Sequence, residues 1–267
     1  LVALGDVLAT ARIAHDRLQK DPNDKVALEA YNFAVARVVG IVHDSGHSPW
    51  QQPLALSSAN GPMVLSHKKD PRPEWNPEKY DFVPADQFRI GGSYVKEHLT
   101  KNGVGAPLVV IGKNLNTAIN ENFALPRAYY GVTAVIYFEG NRAELAFKDP
   151  LATEDVQLGR RTFPMAADYT VPIAVMLAST EPKKLELSRL LNPDKFAYTA
   201  RISRLQPYDP DKTVVLVIHG LMDSPATWTP LLNHLRVVSF NDTANTDMYS
   251  LSLRDSLPLY SAAILRK

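Results

Sequence analysis

Residues 213–236 read TVVLVIHGLMDSPATWTPLLNHLR. Thr213 to Ile218 is an unbroken run of β-branched residues and leucine, with no polar alternation. A strand of that kind is buried on both faces, as in a parallel sheet covered by helices. The run stops at His219-Gly220, a short loop follows, and then a helix. Asp223 or Ser224 can cap that helix with Pro225 at its first position, or Thr229 can cap a later start with Pro230. Trp228, Leu231, Leu232 and Leu235 then share one face. The fold class this predicts is α/β.

Working outward, residues 1–44 predict a helical hairpin. Val7, Leu8, Ala11, Ile13, Ala14 and Leu18 recur at helical spacing, and so do Val26, Leu28, Ala30, Tyr31, Ala34, Val35, Val38 and Val39. Between the two sets, Asp21-Pro22-Asn23-Asp24 is a turn that caps the second helix. Residues 45–87 carry seven prolines, from Pro49 to Pro84. They are expected as an extended surface arm with short strands at most.

Residues 88–205 read mainly as β. Pro107 to Ile111, Gly131 to Phe138, Ala143 to Phe147 and Val171 to Ala178 are apolar runs, and Gly140-Asn141 supplies a tight hairpin turn between two of them. Lys183 to Leu191 is expected as a short helix. This β-rich region, an accessory domain or a set of strands decorating the next domain, leads into residues 206–267, expected as the N-terminal part of an α/β domain.

A buried strand ending in His-Gly, then a short loop and an amphipathic helix, resembles the oxyanion loop of α/β-hydrolases. An ester carbonyl gains negative charge as it becomes tetrahedral, and backbone N–H groups must already point at that oxygen. Gly220 lets the chain turn sharply beside a substrate. The stretch Tyr208-Asp209-Pro210-Asp211-Lys212 leading into VVLVIHGLMDSPATW is similar to bacterial α/β-hydrolases of esterase/lipase type with a long N-terminal extension, some of them predicted lipoproteins. The upstream region, including Tyr31 to Gly40 (YNFAVARVVG), resembles that extension, so the likeness runs to about Arg236.

The resemblance implies a serine-type carboxylic ester hydrolase acting on a small-molecule or lipid ester, periplasmic or membrane-anchored, with no metal or organic cofactor. It assigns Gly220, Leu221 and Met222 to the oxyanion hole. It gives His219, Asp223 and Ser224 structural roles beside that hole. The second oxyanion N–H, the nucleophile, its base and the orienting acid follow this loop in such proteins.

The chain departs from that pattern. It contains no Gly-x-Ser-x-Gly. The nearest stretches, Gly46-His47-Ser48-Pro49-Trp50 and Gly91-Gly92-Ser93-Tyr94-Val95, lack the second glycine and precede the strand. Only 47 residues follow Gly220, so the chain is expected to be cut before the nucleophile elbow, and its catalytic residues are unknown. Val237 to Phe240 is read as a stub of strand, Asn241 to Asp247 as polar loop, and Tyr260 to Lys267 as helix-like. A non-catalytic remnant or binding module of the bacterial envelope is the alternative.

Composition narrows the remaining classes. Twenty-nine basic residues against 28 acidic ones leave a net charge of +1, which gives no long-range field to attract nucleic acid. The absence of cysteine removes disulfides, thiolate metal sites and a cysteine nucleophile together. No apolar run is read as a transmembrane segment. His43 and His47 stand four apart, but Asp44 occupies the place where a zincin has Glu, and Gly46 and Pro49 mark a helix end. The pair reads as a helix terminus and loop, not as a metal site.

Overall fold

The computed structural model describes residues 2–70, 75–90, 98–112, 128–178, 201–207, 213–218, 225–241, 246–252 and 263–265. The chain divides into two compact units. The first comprises Leu1–Phe88, Thr100–Val110 and Gly131–Asp168; the second comprises Arg89–Leu99, Ile111–Tyr130 and Tyr169–Lys267. Both combine helices with strands, a loosely α/β character.

The first unit opens on the expected helical hairpin, α1 (Val2–Lys20) and α2 (Lys25–Ser45). Asp24 caps α2, its carboxylate accepting from the Ala27 N–H at 3.0 Å. It also takes the Arg17 guanidinium at 2.6 Å, which ties the end of α1 to the start of α2. Leu4, Leu8, Ala11, Ala14 and Leu18 of α1 are buried, as are Tyr31, Val35, Val38 and Val42 of α2, so most of each stripe read from the sequence meets the core, whereas Ile13 and Val26 of those stripes are exposed. By length and composition α2 is the one helix among the described residues apolar enough to cross a membrane, although no such run was expected. Half of its most apolar stretch is buried inside the protein.

Residues 45–87, expected as an extended arm, instead supply three strands: β1 (Leu54–Ser58), β2 (Gly61–His67) and β3 (Tyr80–Pro84). The cause is a hairpin signal among the prolines. Leu56, Met63 and Leu65 are buried at alternate positions around the Ala59-Asn60 turn, with Gly61 opposite Ser58. Pro62 sits at the second position of β2 and is exposed, where its missing N–H is tolerated.

Two short strands follow, β4 (Thr100–Lys101) and β5 (Ala106–Gly112). Then come β6 (Tyr129–Glu139) and β7 (Arg142–Lys148). As the sequence predicts, Gly140-Asn141 joins β6 to β7, with Glu139 opposite Arg142 and Gly140 at φ 56°. The sheet order is β1-β2-β7-β6-β5-β3. The sheet is mixed: β6 and β7 are antiparallel, whereas β2 and β7 run parallel. The hairpin β8 (Asp155–Leu158) and β9 (Arg161–Pro164) is held to α1 by Gln19, which donates to the Leu158 carbonyl at 2.7 Å and accepts from the Arg160 N–H at 3.0 Å. β10 (Ala167–Asp168) pairs with β4.

Helix α2 also completes the sheet. The Tyr31 hydroxyl, fully buried, donates to the Ile136 carbonyl at 2.8 Å and accepts from the Ile136 N–H at 2.9 Å. The next residue, Asn32, donates to the Gly103 carbonyl and accepts from the Gly105 N–H. Two adjacent side chains thus supply the partners that β6, and the chain entering β5, would otherwise find on a neighbouring strand.

In the second unit, Val171 to Ala178 forms a helix, α3, where the sequence suggested a β-rich stretch. Continuous apolar runs carry no periodicity that separates strand from buried helix. Ile173, Met176 and Leu177 are buried at i, i+3, i+4 spacing, and Pro172 in the first turn fixes a helical φ. The expected helix at Lys183 to Leu191 lies outside the described residues.

A four-stranded sheet contains β11 (Arg201–Arg204), β12 (Thr213–Ile218), β13 (Thr246–Ser252) and β14 (Ala263–Leu265). Its order is β11-β13-β12-β14. A 3-10 turn, Pro225–Trp228, and the helix α4 (Thr229–Asn241) lie between β12 and β13 in the chain.

Two readings of the final stretch are corrected. Val237 to Phe240 is not a strand stub: α4 runs through it to Asn241. Extending an existing helix gains a hydrogen bond per residue ordered. Nor is Ala263 to Leu265 helical: it pairs antiparallel with Val214 to Leu216, so the demand of the β12 edge for partners overrides helical propensity. The polar run at 241–247 gives way to β13 at Thr246.

Candidate functional site

The run Thr213 to Ile218 folds as its composition requires. Strand β12 lies between two partners, β13 and β14, and Val215 and Val217 are buried while Leu216 and Ile218 are partly buried. β12 and β13 are parallel, in register from Thr213 opposite Thr246 to Ile218 opposite Leu251. Parallel neighbours cannot be joined by a tight turn; they need a crossover, here containing α4. The result is a strand–helix–strand unit. In open α/β sheets, ligands sit outside the carboxyl ends of such strands. His219 and Gly220 follow the carboxyl end of β12 directly.

The residues assigned from the resemblance, His219, Gly220, Leu221, Met222, Asp223 and Ser224, all lie outside the described residues. Their flanks are described. The 3-10 turn starts at Pro225, and the α-helix starts at Thr229 itself, one residue before the Pro230 start that the sequence offered with Thr229 as its cap. The Thr229 hydroxyl is buried and donates to the Ala226 carbonyl at 2.7 Å, fastening the turn to the helix.

Strand β12, α3 and the start of α4 share an apolar cluster. Val215 and Val217 of β12 meet Ile173, Met176 and Leu177 of α3, together with Tyr129, Leu205, Ala226 and Leu232; Ile111, Val175, Trp228 and Leu235 pack against its border. Trp228 is therefore a core anchor, as its spacing suggests. His234 is exposed. Tyr129 and Tyr130 are buried, in keeping with a packing role.

Sequence reasoning did not single out three polar groups bordering this core. Gln206 and Asn233 are 3% and 8% exposed. The Gln206 Oε1, the Asn233 Oδ1 and the Trp228 Nε1 are buried with no hydrogen-bond partner. Each such group costs about 1–3 kcal/mol. Gln206 follows the core residue Leu205 and Asn233 follows Leu232, so only the burial of the neighbour hinted at theirs.

Other sequence candidates resolve more simply. Helix α2 ends at Ser45 with Gly46 in the left-handed conformation, so His47 is off the helix that bears His43. His43 lies 3.0 Å from the Asp44 carboxylate and 3.8 Å from that of Asp81. Among the described residues no group of three or more His, Asp or Glu side chains is placed to hold a metal. Ser48 lies in the turn after α2, where its carbonyl accepts from Gln51 and Gln52; Gly91 to Val95 lies outside the described residues. Comparison of the chain with protein-family models, with curated proteins and with solved structures finds no match.

Proposed function

We propose that residues 206–267 carry the oxyanion-loop part of a serine-type carboxylic ester hydrolase. The observation that supports this most is the parallel pairing of β12 with β13 across the crossover containing α4, with His219-Gly220 at the carboxyl end of β12. A strand paired at both edges gives a loop at its end a rigid base, and preorganised donors need that rigidity. On this reading the N–H of Leu221 or Met222 faces the developing oxyanion. Gly220 keeps side-chain bulk away from the substrate, and His219, Asp223 and Ser224 shape the loop. The ester is a small-molecule or lipid ester, and the setting is periplasmic or membrane-anchored. No metal or organic cofactor enters the chemistry.

A second reading has one observation in its favour. The chain contains no Gly-x-Ser-x-Gly, which suits a non-catalytic remnant or an envelope-binding module. Labelling of the purified chain with a serine-directed fluorophosphonate separates the two. Stoichiometric labelling of one serine supports the hydrolase reading and identifies the nucleophile. A chain that stays unlabelled while folded favours the non-catalytic reading.

A further inference from the structure

His67 ends β2 at the alternate position after Met63 and Leu65, both buried. Its ring belongs to a row of aromatic side chains. Trp50 meets it edge-on at 6.4 Å between centroids, and Phe147 lies 5.2 Å away at 47°. Phe147 stacks in turn on Phe82 at 4.1 Å. Both ring nitrogens of His67 are sealed from solvent and neither has a hydrogen-bond partner. A neutral imidazole carries one N–H and one lone pair, and here both are unmet. An imidazolium would have two unmet donors and a poorly solvated charge.

The charged groups acting on the ring are on its own segment: Asp70 favours protonation and Lys69 opposes it. Trp50, from the turn after α2, and Phe147, from β7, present aromatic carbon and no charge.

We propose that His67 is an acid-sensitive latch: its protonation breaks the aromatic row and releases the turn bearing Trp50 from the sheet. The row holds together only while the imidazole is neutral. Burial, the main cause, holds the His67 pKa at about 4 against an ordinary 6.5. A released ring regains the ordinary value. Between these limits the released form binds a proton that the latched form does not, so the latch weakens as pH falls from 6.5 towards 4 and is at full strength above 6.5. Across that window the latched-to-released ratio falls by about 300-fold.

The test uses the full chain. Urea unfolding of the wild type and of His67→Phe is followed at pH 7.0, 6.0, 5.0 and 4.5. His67→Phe keeps an aromatic ring in the row and removes the titration, while His15, a buried histidine of α1, stays in place. The wild-type midpoint is expected to fall progressively below pH 6.5, and the variant to lose most of that dependence. Equal slopes in the two proteins overturn the proposal. Should the variant fail to fold, the proton resonances of His67 in the wild type decide. A ring that stays neutral well below pH 6 supports the latch, and one that titrates near 6.5 in the folded protein overturns it.

Discussion

Tyr31 shows how much of a residue's work a sequence can hide. Its place in the apolar stripe of α2 follows from spacing. The work of its hydroxyl does not, because the partner, Ile136, is 105 residues away in the chain. Burial keeps the phenol protonated far above neutral pH, although its backbone hydrogen bonding to Ile136 works in the opposite direction. Tyr31→Phe preserves the ring and strands both backbone groups of Ile136. It is expected to cost about 2–4 kcal/mol in urea unfolding. Gly105 makes a companion prediction. It has φ 107°, and an added Cβ would fall 2.5 Å from Thr133 Cγ2 and 2.8 Å from the Ala134 carbonyl oxygen. Gly105→Ala should therefore destabilise by about 2 kcal/mol or more, measured the same way.

At the scale of elements, legibility followed local signals. The α1–α2 turn, the Asp24 cap, the Gly140-Asn141 hairpin and β12 each depend on a few consecutive residues, and the structure has all four. The missed elements depend on distant partners. β14 exists because Val214 to Leu216 has an edge to fill, and β1 and β2 were masked by the surrounding prolines. The Asp24 cap yields a pH prediction. Backbone bonding to Ala27, with Arg17 adding to it, holds its carboxyl below the ordinary value of 3.8. The cap therefore contributes fully above that value and is lost as pH falls through the lower folded one. Asp24→Ala should lower the melting temperature at pH 7, and Asp24→Asn should retain most of the cap. Helix α4 gives a sharper contrast. Leu232 is fully buried, so Leu232→Ala is expected to cost about 2–5 kcal/mol. The exposed His234, replaced by Ala, should change stability by no more than about 0.5 kcal/mol.

For the whole molecule, the α/β character was readable because helical and strand periodicities occupy separate stretches of the chain. The division into two units was not: each unit is assembled from three separated segments, and nothing local announces which segments join. The same limit applies to chemistry. The sequence drew attention to the loop at residues 219–224 through the residues around it, but the buried, partnerless groups of His67, Gln206 and Asn233 become visible only when distant elements close over them. The central claim is that the loop after β12 stabilises an oxyanion. Its most direct test is turnover of p-nitrophenyl butyrate by the purified chain beside Leu221→Pro, which removes one proposed N–H donor. The account predicts turnover that falls by about 10²–10³-fold in the variant while the fold persists. Turnover that the substitution leaves unchanged would contradict it, and no turnover by the folded wild type would favour the non-catalytic reading of this chain.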